Sequence, residues 1–404
     1  MSLRELPPEQ SEPPRQTLRG KLRFVPLVVL VVLSLIATVV GWGVRDANDQ
    51  RARNVAANTQ PAPLTQRTGV AAALPADCRP PVTPPAQELW LTKPAQAQAV
   101  WDANYPPIAK DPFLTGQDGW VFWNDQEASN FSQAVGRRIL SRAEVATWRT
   151  YLTTMRDDLA AKGIPFYIVV TPANWDVYPQ ELPVWASGIR GSGPLDQLLA
   201  AAPDLPLVDV RAQLRAASVE NPVFSRLNSH WTDYGALVAW NSIASCIRQA
   251  TPAMSALAPL ATTGVTIGPA HNEYAPYGLV DENRDWTLPS YSTPLKPVSV
   301  SDSSGNVTTV EGEQATDLAL LPVSTQTSGA QVDKTLLILR DSFGGGLSIP
   351  LQQSFARTEQ VRHNFDYPAN TRPRIADLVS KDHPDIVILQ LAERYLTFPP
   401  ATAP

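Results

Sequence analysis

Two short, unbroken apolar runs, Leu336–Leu339 and Ile386–Leu389, constrain the fold more than any other feature of the chain. A strand with one wet face alternates apolar and polar residues. A strand that is apolar at every position is covered on both faces, as in a parallel sheet flanked by helices. Phe166–Val170 is a further short apolar strand and Leu207–Val210 another strand, and helices stand between them. From Ser141 to Lys162, the residues Val145, Trp148, Leu152, Met155 and Leu159 recur at helical spacing. Ser141 and Glu144 form a capping box there, and Gly163 ends the helix. Asp233 to Arg248 puts Leu237, Trp240, Ile243 and Ile247 on one face, and a short helix starts at Arg211. Such alternation predicts an α/β fold, a three-layer α/β/α sandwich on a parallel sheet with right-handed crossovers. Residues 252–333, rich in Thr, Ser, Pro and Gly, interrupt it. They read as an insertion of small antiparallel strands, with a hairpin around Ser304-Gly305-Asn306.

Ahead of the domain, Phe24 to Val44 runs for 21 residues without a charge, after Arg15, Arg19, Lys21 and Arg23. About 20 apolar residues span a bilayer, and the basic flank stays inside. The pattern predicts a cytoplasmic segment at 1–23, a single transmembrane helix at 24–44 in the inner (cytoplasmic) membrane, and everything beyond it outside the cytoplasm. A cleaved signal peptide is the alternative, although its apolar region is usually shorter. An Ala/Pro-rich tether at 45–98 leads to a domain at 99–398 and a disordered tail at 399–404. In that oxidising setting Cys78 and Cys246 are candidates for a disulfide.

Composition narrows the chemistry. A net charge of -5 argues against nucleic acid as a partner. Two cysteines and four histidines, with no ligand-like spacing, imply no metal and no cofactor. The run Leu336 to Gly346 is a buried strand entering a glycine-rich turn at Asp341-Ser342-Phe343. Open α/β sheets place their sites at the carboxyl ends of strands, so Ser342 is a candidate nucleophile with freed amides after it as an oxyanion hole. Its other reading is a helix cap. His230, in Asn228-Ser229-His230-Trp231-Thr232-Asp233, is the candidate base. A base needs a third group to hold its tautomer, for which Asn228 and Asp233 are both in range. His271 sits in the insertion, and His363 and His383 sit among charged, surface-like residues.

Together these segments resemble the SGNH hydrolase-like domain of the AlgJ/AlgX type, bacterial proteins that O-acetylate alginate and related exported polysaccharides. Gly116-Gln117-Asp118-Gly119-Trp120-Val121-Phe122 is similar to the family's entry motif. Val169-Val170-Thr171-Pro172 with Tyr178-Pro179 and Leu182-Pro183 resembles its strand-proline segment, and Leu389 to Leu396, with Glu393-Arg394, its closing strand. The resemblance spans about Pro112 to Leu396. It implies a membrane-anchored, extracytoplasmic O-acetyltransferase in which Ser342 carries the acetyl group and His230 is the base, with Asn228 beside it. Asp341, Trp231, Tyr178 and Arg394 become substrate or oxyanion neighbours, and Trp120, Trp231 and Tyr178 sugar-stacking candidates. It further implies a polysaccharide substrate and a multi-pass membrane acyltransferase as acetyl donor. The alternatives are a carbohydrate acetylesterase, or a degenerate binding or assembly subunit. Three positions depart from the family pattern: Asn228 replaces an aspartate, Arg340 a glycine, and Asn174-Trp175 a basic residue.

Overall fold

In the computed structural model, which describes residues 74–80, 88–311, 320–401 and 404, the apolar runs lie at the centre of an eight-stranded sheet. In chain order the strands are β1 (Phe113–Thr115), β2 (Val121–Trp123), β3 (Phe166–Thr171), β4 (Leu207–Val208), β5 (Thr262–Gly268) and β6 (Trp286–Tyr291). They continue as β7 (Pro297–Ser301), β8 (Val307–Glu311), β9 (Val323–Gln326), β10 (Val332–Arg340), β11 (Phe355–Arg362) and β12 (Ile386–Ala392). The large sheet has the order β4-β3-β12-β10-β11-β9-β7-β8. Its first five strands are parallel, with Leu336 opposite Ile386 and Leu389 opposite Ile168. β3, β12 and Leu336–Leu339 are buried at every position, as continuous apolar strands require.

The expected all-parallel sheet is corrected by the other three strands. β9 runs antiparallel to β11, β7 to β9 and β8 to β7, so the insertion extends the main sheet and makes it mixed. The physical reason is the edge of β11. Its residues Arg357, Thr358, Glu359 and Gln360 form a polar run where β10 and β12 are apolar, and a bare edge leaves backbone donors and acceptors unpaired. β9 covers that edge: Ser324 Oγ donates to Glu359 at 2.7 Å and the Thr325 and Thr358 hydroxyls meet. The hairpin around Ser304-Gly305-Asn306 joins β7 to β8. The transmembrane part of the expected fold is corrected too. Among the described residues no helix is long and apolar enough to cross a membrane, and 24–44 lies outside them.

Helix Arg142–Ala160 starts on Ser141 with the expected capping box. Helix Asp233–Ala250 is capped by Thr232, whose hydroxyl accepts from Gly235 N at 3.0 Å. Cys246, in that helix, is bonded to Cys78, with Cα atoms 5.7 Å apart. A small hairpin of β5 and β6 packs beside the same helix, where Trp286 Nε1 donates to Asp233 at 2.7 Å. The connection between β5 and β6 reaches the carboxyl end of the parallel strands. So does the turn after β10.

Candidate active site

β10 delivers Ser342. After Arg340 the chain turns sharply, and Asp341 accepts Phe343 N at 3.0 Å. Asp341 is buried, its second carboxylate oxygen accepts Ala392 N at 2.5 Å, and Gln390 donates to the first at 2.9 Å. Burial pushes this carboxyl above its ordinary value despite those donors. Asp341 therefore holds the turn and points away from the serine. The amides expected to form an oxyanion hole are taken by the same residue: Phe343 N binds its carboxylate and Gly344 N its carbonyl at 3.3 Å.

Glycine is required at 344. A Cβ there would come 2.2 Å from Arg340 Cδ. The Arg340 side chain is fully buried under the turn, with Nε donating to Gln360 at 2.9 Å. The unexpected arginine and the following glycine thus form one packed arrangement.

His230 comes from the loop before helix Asp233–Ala250. Its Nε2 lies 2.9 Å from Ser342 Oγ. The ring stacks on Phe343, with centroids 4.4 Å apart, and Trp231 beside it donates its indole N–H to Phe343 O at 2.9 Å. Phe343 therefore fixes the His-Trp pair from the serine's own turn. Asn228 Oδ1 accepts His230 N at 2.9 Å and lies 3.1 Å from Nδ1. The amide cannot be turned over, because its Nδ2 donates to His271 O at 2.9 Å. With an acceptor at Nδ1, the proton resides there and the Nε2 lone pair faces the serine hydroxyl.

A second acceptor faces Nδ1: Glu273 Oε2, at 3.3 Å. Its other oxygen accepts Ser229 N at 2.6 Å and Trp123 Nε1 at 2.9 Å. The β5–β6 connection carries it. Glu273 N donates to Leu227 O at 3.1 Å, and the fully buried ring of Tyr274 packs on Trp123 and Phe113. Burial raises the Glu273 carboxyl. The bond and charge of His230, then Arg394 and Ser229, outweigh it and hold the group below its ordinary value. Asp233, the other carboxylate in range, instead accepts from Trp286 and stands in the first turn of its helix. Sequence reasoning missed Glu273. Forty-three residues separate it from His230, and the only local signal is a polar His271-Asn272-Glu273 step before an aromatic residue.

Arg394 also reaches the site. Nη1 donates to Ser229 Oγ at 3.2 Å, its guanidinium sits 5.4 Å from the Phe343 ring, and Nε is 3.6 Å from Glu127. Glu393 beside it is structural. It accepts Ala173 N at 3.0 Å, and burial, reinforced by Asp176, pushes its carboxyl well above the ordinary range. Tyr178 lies apart from the pair. Its ring packs 4.3 Å from Trp120 and its hydroxyl accepts Val223 N at 3.0 Å. Trp120, Trp231 and Tyr178 are all buried and offer no stacking face. His363, expected at the surface, is buried at the end of β11 because Phe365 and Tyr151 close over it. Among the described residues no group of three or more His, Cys, Asp or Glu side chains is placed to hold a metal.

A serine and an imidazole at the carboxyl end of a parallel strand, in an α/β domain, fit an SGNH hydrolase-like domain. Residues 113–321 match the family ALGX, the SGNH hydrolase-like domain of the acetyltransferase AlgX, and the chain belongs to this family. No curated protein sequence matches it. Among solved structures it is similar to Bacillus cereus PatB1 with a sulfonyl adduct, at TM-score 0.51 and 15% identity, over 73% of this chain and 100% of that one. It is also similar to the O-acetyltransferase domain of Pseudomonas putida AlgJ, at TM-score 0.43 and 17% identity, over 73% and 94% of the two chains. Pseudomonas aeruginosa AlgX follows, at TM-score 0.38 and 14% identity, over 69% and 61%. At such identities the likeness concerns the fold.

Proposed function

We infer that this protein is an O-acetyltransferase that moves acetyl groups to polysaccharide hydroxyls through an acyl-enzyme on Ser342. The 2.9 Å contact of Ser342 Oγ with His230 Nε2 carries the reading. As Oγ attacks the acetyl carbonyl of a donor, its proton passes to Nε2 and the oxyanion forms. The oxyanion collapses, and the leaving group departs with that proton. A sugar hydroxyl then attacks the acetyl-serine and gives its proton to Nε2, and Ser342 leaves with it, regenerated. The expected donor system, a multi-pass membrane acyltransferase, belongs to this proposal. So does an extracytoplasmic setting, which the Cys78–Cys246 bond supports.

One aromatic ring supports a sugar acceptor. Tyr277 is 54% exposed and stands edge-on to Trp123, which in turn donates to Glu273. Water is the competing acceptor, because the His230 side chain is 28% exposed; this keeps the acetylesterase as second reading.

Full-length protein, given an aryl acetate and an alginate-type oligosaccharide, tests the assignment. The expected result is one acetyl on the Ser342 peptide after a rapid quench and acetylated sugar at longer times, both lost in Ser342→Ala. Acetate release without acetylated sugar assigns the esterase. Full acetylation by Ser342→Ala removes the serine mechanism, and an inert wild type returns the binding-only reading.

A further inference from the structure

We propose that Glu273 supplies the negative charge that balances protonated His230, while neutral Asn228 only fixes the ring, so that one task is divided between two segments of the chain. The proposal rests on the acyl-transfer reading above.

Each time His230 accepts a proton at Nε2, a cation forms in a site that is only partly open to water. A neutral amide can orient such a ring, but it stabilises the cation far less than a carboxylate does. Asn228 is neutral, and its geometry is committed: Oδ1 to His230 N and Nδ1, Nδ2 to His271 O. The carboxylate that faces the ring is Glu273 Oε2, at 3.3 Å. It is built to stay charged and still. Two donors, Ser229 N and the Trp123 indole, hold Oε1, and the Glu273 side chain is only 13% exposed. Tyr274 anchors the backbone next to it through its buried ring and through Oη, which donates to Val121 O at 3.1 Å. Arg394 donates to Ser229 Oγ, and its charge attracts Glu273. Glu273 touches neither Ser342 nor the acyl group in this scheme. It is a positioning residue that acts through His230.

The division predicts a signature that a merely structural role does not produce. In Glu273→Gln the amide oxygen is claimed by Ser229 N and Trp123 Nε1, so the NH2 group points at Nδ1. Charge is lost and a donor stands where an acceptor stood. Glu273→Ala removes the charge without adding a donor, and separates the two effects. Asn228→Asp places a carboxylate beside the same Nδ1 from the other segment. In wild type it brings two carboxylates to one Nδ1, where like charges resist joint ionisation, and it sets an oxygen against His271 O. In Glu273→Gln it returns the missing charge.

Turnover of an aryl acetate by the full-length protein is measured for wild type, Glu273→Gln, Glu273→Ala, Asn228→Asp and the Asn228→Asp/Glu273→Gln double variant, with thermal unfolding as the folding control. Both Glu273 variants are expected to lose about 10²-fold in kcat with KM within twofold, a smaller loss than the ~10⁴ of a triad whose tautomer is also wrong. Asn228→Asp is expected to give no gain in wild type and to recover about tenfold or more in Glu273→Gln. The proposal is overturned if both Glu273 variants keep kcat within twofold, or if Asn228→Asp changes kcat by the same factor in both backgrounds. Neither outcome touches the serine reading, which stands or falls with Ser342→Ala.

Discussion

Ser342 and Glu273 approach the same imidazole from opposite kinds of structure. The serine follows β10, a strand whose last five residues are buried and whose Leu336–Leu339 are paired on both sides. The glutamate rides on a connection in the insertion, held by a buried tyrosine, a few hydrogen bonds with Asn228, Ser229, Trp123 and Leu227, and a small hydrophobic cluster separate from the main core. The strand side is stable because the parallel half of the sheet cannot shift without exposing apolar surface. The loop side depends on a few directional contacts, so its precision is local and easily disturbed. Chemistry that needs a fixed attacking atom is placed on the first. Electrostatic support, which falls off more gently with distance, is placed on the second.

The largest effect tests whether the two sides converge on one group. His230→Ala should lower kcat by about 10³-fold or more while the fold is retained, measured as aryl acetate turnover beside circular dichroism. Survival of activity would mean that the pair is a structural contact. Next is the bridge between Cys78 and Cys246, which closes a separation of 168 residues and ties the start of the described domain to the helix after His230. Cys78→Ser with Cys246→Ser should cost about 4 kcal/mol in urea unfolding and leave kcat per folded molecule unchanged.

Acid should separate the two sides. His363 lies on the strand side, where its N–H donates to Arg340 O at 2.8 Å, and burial, with Arg372 nearby, pushes its imidazole down to about 4. The unfolded chain takes up this proton near 6.5, so stability is whole above 6.5 and declines as pH falls from there toward 4. The loss is about 3 kcal/mol over that window. Glu273 is held below its ordinary 4.5, so its ionised contribution is full above 4.5 and is lost as pH falls below that value. Urea midpoints between pH 7 and 4.5 should therefore fall more with acid in wild type than in His363→Gln, because the raised carboxyls of Asp341 and Glu393 act in the opposite sense in both proteins. A slope unchanged by His363→Gln would assign the acid sensitivity elsewhere.

The smallest effect probes the loop anchor. Tyr274→Phe removes the donor to Val121 O and should cost about 1 kcal/mol, with kcat within threefold of wild type. A much larger fall in kcat than in stability would show that the loop's position, and not only its charge, limits turnover.

What could be read from the sequence follows the range of each interaction. The parallel core was legible because a doubly buried strand shows as an unbroken apolar run. Ser342 and His230 were legible because strand-to-turn and loop-to-helix signals are local. The insertion at 252–333 was legible as small antiparallel strands, yet its letters do not say which edge they cover, so the mixed sheet was not. Trp120 and Tyr178 show how an aromatic residue in a motif reveals nothing about whether its face is free. Glu273 was hidden for the plainest reason, since only the folded chain brings residue 273 beside residue 230.

Arg340 and Gly344 carry a consequence for tracing such chains through evolution. The arginine fills the space under the turn that a residue without a side chain would leave, and it does so only because residue 344 has no Cβ. A side chain can therefore be added at 344 only after the arginine at 340 has given way to something smaller, so the order of change at the two positions is fixed.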